Sequence, residues 1–347
     1  MNHISKNLVS IAALIIILAA ARSAQEILLP FLLAVFISII ASAPMTWLQD
    51  KKIPAGLAVI IVVVTMISLL FSATLILAGS IDSFSQSMPA YLERLQGTTD
   101  NIVQWFDSIG ISLPEAGILS ALNPGVAMSL ANSFLGSFTQ LLSNTFLIVM
   151  TVIFMLLEAS VFTRKINMIS DDSGQTLANI GCFFASTKHY MAIKAVTSLI
   201  TGILITIGMM LLGLDNPILW GFLAFLLNFI PTIGSIIAAI PAVLLAFLQL
   251  GFASAMFVAI IFLAVNMLIG NIIEPRVMGK GVGLSTLVVF LSMVFWGWLF
   301  GPIGMLLSIP LTMFVKIAAD ENESTRWMAI ILSSSVNEKV VNDKAAT

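Results

Sequence analysis

Residues 55–80 are apolar or small and include no Asp, Glu, Lys or Arg. A helix needs about 20 apolar residues to cross the hydrocarbon core of a bilayer, and this run is long enough to do so. A transmembrane β-barrel would instead show segments of about 10 residues in which apolar and polar side chains alternate. Because the run is continuous, it predicts a membrane-spanning helix.

The composition extends this prediction to the whole chain. Of the 347 residues, 59% are hydrophobic and only 9% are charged, with a mean hydropathy of +1.08. A soluble domain carries about 25% charged residues, so this chain has too few of them to cover an aqueous surface. We predict an all-α, polytopic membrane protein that has the lipid bilayer as a partner.

The chain contains six uninterrupted apolar runs and two interrupted ones. They predict about six transmembrane helices plus two broken, re-entrant helical hairpins. A cleaved signal peptide is an alternative reading of the first run. The uninterrupted runs are 8–21, 27–43, 55–80, 141–161, 194–214 and 252–272, and the interrupted runs are 218–250 and 285–318. The predicted regions are N-terminal membrane helices (1–80), an amphipathic helical extracytoplasmic region (81–140), a membrane helix with a cytoplasmic amphipathic segment (141–193), a core with broken helices (194–318) and a polar tail (319–347).

Lysine and arginine residues predict the orientation, because the cytoplasmic loops of membrane proteins carry an excess of them. With a cytoplasmic N-terminus and both interrupted runs read as hairpins, all 15 Lys and Arg residues except Arg22 and Arg94 face the cytoplasm. Two full crossings by 218–250 would instead place Arg276 and Lys280 outside. The charge bias therefore favours hairpins.

The first interrupted run breaks where an apolar helix would be easiest to build. Asn228, Pro231 and Gly234 lie close together, and Pro241 follows them. Pro231 has no backbone donor and disrupts a helical hydrogen bond, and an unpaired backbone group costs several kcal/mol in hydrocarbon. Such backbone is tolerated where it is buried in protein or lines a watery cavity, and transporters place broken helices at their substrate sites.

The second interrupted run repeats this pattern. Gly301, Pro302 and Gly304 break it, and Pro310 lies on its return. We interpret these four residues and Pro241 as hinges. The alternative is that they only shape helix packing, since Pro and Gly are more frequent in membrane helices than in soluble ones. Two breaks in one half of the chain favour a transport core over 194–318.

Polar residues near the breaks are candidates for a substrate pathway. Asn228 precedes the first break, where its alternative role is to cap freed carbonyls. Asn266, Gly270 and Glu274 stand at i, i+4 and i+8, which would place them on one face of an α-helix. Thr201 belongs to a stripe of small and hydroxyl residues, for which close helix packing is the alternative. The predicted pathway residues are Asn228, Pro231, Gly234, Asn266, Asn271 and Thr201.

Charged residues near the ends of spans are candidates for coupling or gating. Ionisable groups at membrane depth are functional candidates, although groups near the interface reach water at little cost. Arg276 lies two residues after Glu274, so an ion pair between them is either structural or part of a gate. The candidates are Glu158, Lys194, Glu274 and Arg276.

The sequence offers little from which to build an enzyme or a metal site. Cys182 is the single cysteine, and the two histidines, His3 and His189, are far apart. A Walker sequence is absent, which argues against ATP-driven pumping by this chain alone. There is no basic stripe of the kind that binds nucleic acid. We therefore expect no catalysis, no metal, no cofactor and no nucleic-acid partner.

Two segments carry a resemblance to a known family. They are "WGFLAFLLNFIPTIGSIIAAIP" (220–241) and "EPRVMGKGVGLS" (274–285), and the likeness extends through "HYMAIK" (189–194) and "FMLLE" (154–158) over most of the chain. The chain resembles the autoinducer-2 exporter family of PerM-like permeases. The resemblance implies a multi-pass protein of the bacterial inner membrane that exports a small polar signal, autoinducer-2. It also implies a homo-oligomer, with a pentamer as one candidate. Some relatives act as sodium(lithium)/proton antiporters, which is the alternative function.

Overall fold

The computed structural model of the protein describes residues 3–108, 144–169, 173–231, 233–278, 283–320 and 324–334. These residues form helices and connecting turns, and the described part has no strand beyond one isolated bridge between Leu284 and Ser333. The all-α prediction is confirmed. The helices are α1 (His3–Ser23), α2 (Gln25–Asp50), α3 (Ala55–Ser108), α4 (Thr145–Ile169), α5 (Ser173–Leu212), α6 (Pro217–Leu227), α7 (Ile233–Leu250), α8 (Phe252–Asn266), a π-helical segment (Met267–Ile273), α9 (Glu274–Met278), α10 (Thr286–Asp320) and α11 (Arg326–Leu332).

Within those ranges, six helical stretches are long and apolar enough to cross a membrane. This number matches the prediction, but the membership differs. The predicted run 8–21 falls in α1, which is not among the six, and 141–161 begins in residues that the structure does not describe. The six instead include Ile233–Leu250, which is one arm of the interrupted run 218–250, and Thr286–Asp320, which contains most of the interrupted run 285–318. The six are Gln25–Asp50, Ala55–Ile76, Phe184–Leu212, Ile233–Leu250, Phe252–Met278 and Thr286–Asp320.

α3 joins two regions that the sequence analysis separated. It runs unbroken from the apolar run 55–80 into the start of the predicted extracytoplasmic region 81–140. The rest of that region, from 109 to 140, lies outside the described residues.

The chain forms two compact units. The first contains Met1–Met66, Ser137–Ala192 and Met278–Thr347, and the second contains Ile67–Gly136 and Ile193–Val277. In the first unit α2 packs against α4, and α10 packs against α11. Its apolar core includes Ala34, Val152 and Leu307, all at most 1% exposed.

In the second unit, α6 and α7 form the first hairpin. They pack against each other around a turn at 228–231. At the opposite end of the hairpin, the side chain of Gln249, near the end of α7, forms hydrogen bonds with the backbone of the segment that precedes α6. Its Oε1 accepts a hydrogen bond from the Asp215 backbone N–H at 3.0 Å, and its Nε2 donates to the Gly213 carbonyl at 3.2 Å. The chain therefore leaves the hairpin at the end where it entered, and α8 then packs along α7.

Helix length supports the same conclusion. α6 has 11 residues, which rise about 16 Å at 1.5 Å per residue. The hydrocarbon core of a bilayer is about 30 Å thick. α6 is thus too short to cross it, as a re-entrant arm should be.

In the first unit, α10 is the second hairpin. Gly301 has φ 66° and ψ −154°, a conformation open to glycine and outside the helical region. The Trp296 Nε1–H donates to the Thr312 Oγ1 at 2.9 Å across a separation of 16 residues, which a straight helix would hold about 24 Å apart. The Lys316 Nζ also donates to the Gly283 carbonyl at 2.6 Å, so the two ends of α10 lie together.

The Trp296–Thr312 hydrogen bond should contribute measurably to the second hairpin. Replacing Trp296 by Phe leaves the Thr312 hydroxyl, which is 5% exposed, without this donor. We expect a loss of about 1–2 kcal/mol of unfolding free energy, measured by thermal unfolding in detergent. The control is Trp298→Phe, because Trp298 is 51% exposed and its ring lies under the Arg22 guanidinium, a contact that Phe can also make. Equal effects of the two substitutions would contradict a role for the hydrogen bond.

Candidate functional site

The break between α6 and α7 is built around Gly234. A Cβ placed on Gly234 would lie 1.8 Å from the Leu227 carbonyl oxygen, so only glycine allows α7 to begin against the end of α6. The Ile233 N–H donates to the Pro231 carbonyl at 2.6 Å, and the Ile230 N–H to the Leu227 carbonyl at 2.9 Å. The turn thus satisfies part of its own backbone with short local hydrogen bonds.

Asn228 lies at this turn and contacts α5. It is buried, and its Nδ2 donates to the Ser198 Oγ at 3.0 Å. Ser198 is fully buried and lies on the membrane-spanning part of α5. The amide nitrogen therefore binds a hydroxyl of a neighbouring helix rather than a carbonyl freed by the break. This contact places two polar side chains where two apolar helices meet.

Thr201 lies one turn beyond Ser198 on the same face of α5. It is 5% exposed, and its Oγ1 has no hydrogen-bond partner in the part of the chain that the structure describes. The next residue, Gly202, packs tightly on α6, since a Cβ there would lie 2.8 Å from the Gly221 carbonyl oxygen and 2.9 Å from the Phe225 Cβ. The packing role predicted for this stripe is therefore realised at Gly202, while the hydroxyl at Thr201 is unpaired.

Lys194 and Glu274 form a largely buried ion pair in the second unit. The Lys194 Nζ lies 2.8 Å and 2.9 Å from the two carboxylate oxygens of Glu274, and the side chains are 7% and 14% exposed. Sequence spacing suggested Arg276 as the partner of Glu274. Arg276 is instead exposed, and the ion pair connects α5 to the start of α9 across 80 residues.

The helix that leads to Glu274 is not a regular α-helix. Residues Met267–Ile273 are π-helical, and single turns of π-helix occur frequently at functional sites. The spacing that placed Asn266, Gly270 and Glu274 on one face assumed α-helical geometry, which does not hold here. Asn266 still lies beside Gly270, because a Cβ added to Gly270 would lie 3.2 Å from the Asn266 Oδ1. Asn271, in contrast, is exposed.

The remaining predicted residues lie on α4, α7 and α10. Glu158 is exposed on α4 in the first unit. Pro241 is buried inside α7, and Pro310 is buried inside the returning arm of α10. Gly304 resembles Gly234, since a Cβ there would lie 2.0 Å from the Trp296 carbonyl oxygen.

Comparison with known proteins decides the family. The family model described as AI-2E family transporter matches residues 11–323. This chain belongs to that family. It is 41% identical over 341 residues to a Haemophilus influenzae protein named provisionally as a transport protein, and the match covers 95% of this chain and 97% of that protein. It is 35% identical over 328 residues to the AI-2 transport protein TqsA of Escherichia coli, covering 94% and 95%. It is 33% identical over 325 residues to YhhT of Escherichia coli, also named provisionally as a transport protein, covering 94% and 93%.

The resemblance seen in the sequence is thus confirmed, and this chain is a membrane transport protein. Besides the Lys194–Glu274 ion pair, two contacts were not predicted, those of Ser198 and Gln249. Ser198 was one of several hydroxyl residues along α5, and no local signal distinguishes it as the partner of Asn228. The Gln249 contact could have been expected, because Gln249 is a lone amide at the end of an apolar run, where it has few polar neighbours in sequence.

Proposed function

We propose that this protein is a secondary transporter that exports a small polar solute, autoinducer-2, across the bacterial inner membrane. The observation that supports this most is the first hairpin. It places a break in an apolar helix pair beside a buried amide and two buried hydroxyls, Asn228, Ser198 and Thr201. A polar solute needs such groups within an otherwise apolar environment.

The relatives support the solute. TqsA carries autoinducer-2 transport in its name and matches nearly the full length of this chain. In the proposed mechanism the two hairpins move or gate, with Gly301, Pro302, Gly304, Pro241 and Pro310 as hinges. Asn228, Pro231, Gly234 and Thr201 line the solute pathway, which Asn266 and Asn271 continue towards Glu274.

Coupling belongs to the same proposal. Lys194 and Glu274 neutralise each other while paired, and separating them would leave each charge exposed to water or to another ion. We propose that this pair, with Glu158 and Arg276 nearer to solvent, couples or gates transport. The protein is further proposed to lie in the inner membrane with a cytoplasmic N-terminus and to form a homo-oligomer, for which a pentamer is one candidate.

Flux in purified vesicles tests the function. Proteoliposomes should accumulate autoinducer-2 along its gradient at a rate well above that of protein-free vesicles. Sodium should not exchange for protons in the same vesicles, as read from an internal pH dye. Sodium-dependent proton flux without autoinducer-2 flux would overturn the proposal and establish the antiporter alternative.

Asn228→Leu should reduce autoinducer-2 flux at least tenfold, because leucine keeps the side-chain volume but cannot bind a polar solute. The matched variant is Ser198→Ala, which removes the protein partner of Asn228 but keeps the amide. We expect Ser198→Ala to retain a substantial part of the flux, measured per folded protein after size-exclusion chromatography. Equal losses in the two variants would mean that Asn228 acts only through its hydrogen bond to Ser198.

A further inference from the structure

The membrane-spanning part of α5 contains four described threonines, and two of them, Thr187 and Thr201, have a buried hydroxyl without a hydrogen bond. The other two satisfy themselves on the helix. The Thr197 Oγ1 donates to the Lys194 carbonyl at 3.2 Å, and the Thr206 Oγ1 donates to the Gly202 carbonyl at 2.9 Å. A hydroxyl on a helix commonly satisfies itself in this way, by donating to a carbonyl three or four residues back. The Thr201 hydroxyl does not, although it is buried.

An unpaired buried hydroxyl is a cost to the fold, because its desolvation is not compensated by a hydrogen bond. A valine at the same position has nearly the same shape and would avoid this cost. A ligand that binds the hydroxyl would offset this cost, and of the two unpaired threonines Thr201 is the one near the break between α6 and α7. Thr201 lies one turn beyond Ser198, the partner of Asn228, and one residue before Gly202, which packs against Gly221 and Phe225 of α6.

The groups around it are electrically neutral. Ser198 and Asn228 are a hydroxyl and an amide, and the nearest charge along α5, Lys194, is held by both carboxylate oxygens of Glu274. A carboxylate or phosphate entering here would lose its hydration, and among the described residues of this site it would meet no cation other than the paired Lys194. Hydroxyl and carbonyl groups of an uncharged solute can exchange hydrogen bonds with all three side chains.

We propose that the Thr201 hydroxyl binds a hydroxyl or carbonyl group of the transported solute, and that this position selects uncharged, hydroxyl-rich molecules over their acids. The proposal rests on the proposed function and makes Thr201 a specificity-determining residue of that pathway. It assigns the missing hydrogen-bond partner to the solute.

The test separates a ligand contact from a structural role by comparing stability with affinity. Thr201→Val should unfold at the same temperature as the wild type or higher without solute, and should raise the KM for autoinducer-2 about tenfold with little change in maximal rate. Thr201→Ser, which keeps the hydroxyl group, should have the KM of the wild type. The matched control is Thr187→Val, since Thr187 is the other described threonine whose buried hydroxyl is unpaired and it lies in the first unit. This control should leave the KM unchanged.

Charge selection is tested with a matched pair of competitors. Erythritol should inhibit autoinducer-2 flux through the wild type and raise its unfolding temperature, whereas erythronate, the corresponding acid, should do neither. An unchanged KM in Thr201→Val, an equal change in Thr187→Val, or equal inhibition by the two competitors would overturn the proposal while leaving autoinducer-2 transport intact. If the wild type shows no autoinducer-2 flux, the proposed function fails. In that case the unfolding temperature of the wild type decides on the binding site. If erythritol does not raise it, this inference is overturned as well.

Discussion

Glu274→Ala should lower the free energy of unfolding by about 3–5 kcal/mol, because it leaves the buried Lys194 ammonium without its counter-charge. The ion pair is enclosed on both sides, with 7% and 14% of the side chains exposed. Thermal unfolding in detergent measures the effect. Arg276→Ala is the control, since this residue has the opposite charge, lies two positions away and is exposed; it should change the unfolding temperature only slightly.

A double substitution separates stability from coupling. In Lys194→Met/Glu274→Met both charges are gone, and apolar replacement of a buried ion pair is commonly neutral or stabilising. We expect this variant to fold well and to lose the accumulation of autoinducer-2 that an ion gradient across the vesicle membrane drives. Full accumulation in a well-folded double variant would show that the pair only stabilises the fold. A single variant as stable as the wild type would contradict the burial of the pair.

Gly234→Ala should prevent the first hairpin from closing. The added methyl group would lie 1.8 Å from the Leu227 carbonyl oxygen, and the backbone cannot yield as a flexible side chain can. Overpacking commonly costs about 1–3 kcal/mol and sometimes more. We expect a loss at the upper end of that range or beyond, with little monodisperse protein recovered from detergent and no flux.

The control for this prediction is Gly181→Ala in α5, where a Cβ meets no atom within 4 Å. Removing glycine from a helix interior is favourable by up to about 1 kcal/mol, so this variant should be at least as stable as the wild type. Gly304→Ala in the second hairpin should behave like Gly234→Ala, because its Cβ would lie 2.0 Å from the Trp296 carbonyl oxygen. Normal folding of Gly234→Ala would contradict the close approach of α6 and α7.

The hairpins could be predicted from the sequence because their signals are local. Pro231 and Gly234, or Gly301 and Pro302, interrupt an apolar run, and the energetic cost of broken backbone in hydrocarbon makes such an interruption informative. The same reasoning could not determine which arms are long enough to span. α10 counts as one apolar helix by length although it folds back at Gly301.

Contacts between segments that are distant in the chain could not be predicted from the sequence. Lys194 was assigned to the interface, where charge is cheap, but it is buried because Glu274 reaches it across 80 residues. The π-helical segment before Glu274 has no pattern that distinguishes it from an α-helix. The structure buries Asn228 at the break and pairs it with Ser198, and its role as a ligand contact stays a prediction.

The length of α3 has a practical consequence for imaging. Its 54 residues extend about 80 Å at 1.5 Å per residue, whereas the hydrocarbon core of a bilayer is about 30 Å thick. At the tilts common for membrane helices, up to about 40°, a helix of this length extends beyond the hydrocarbon core. It would offer a fiducial for aligning particles in electron micrographs and an epitope for raising conformation-neutral antibody fragments.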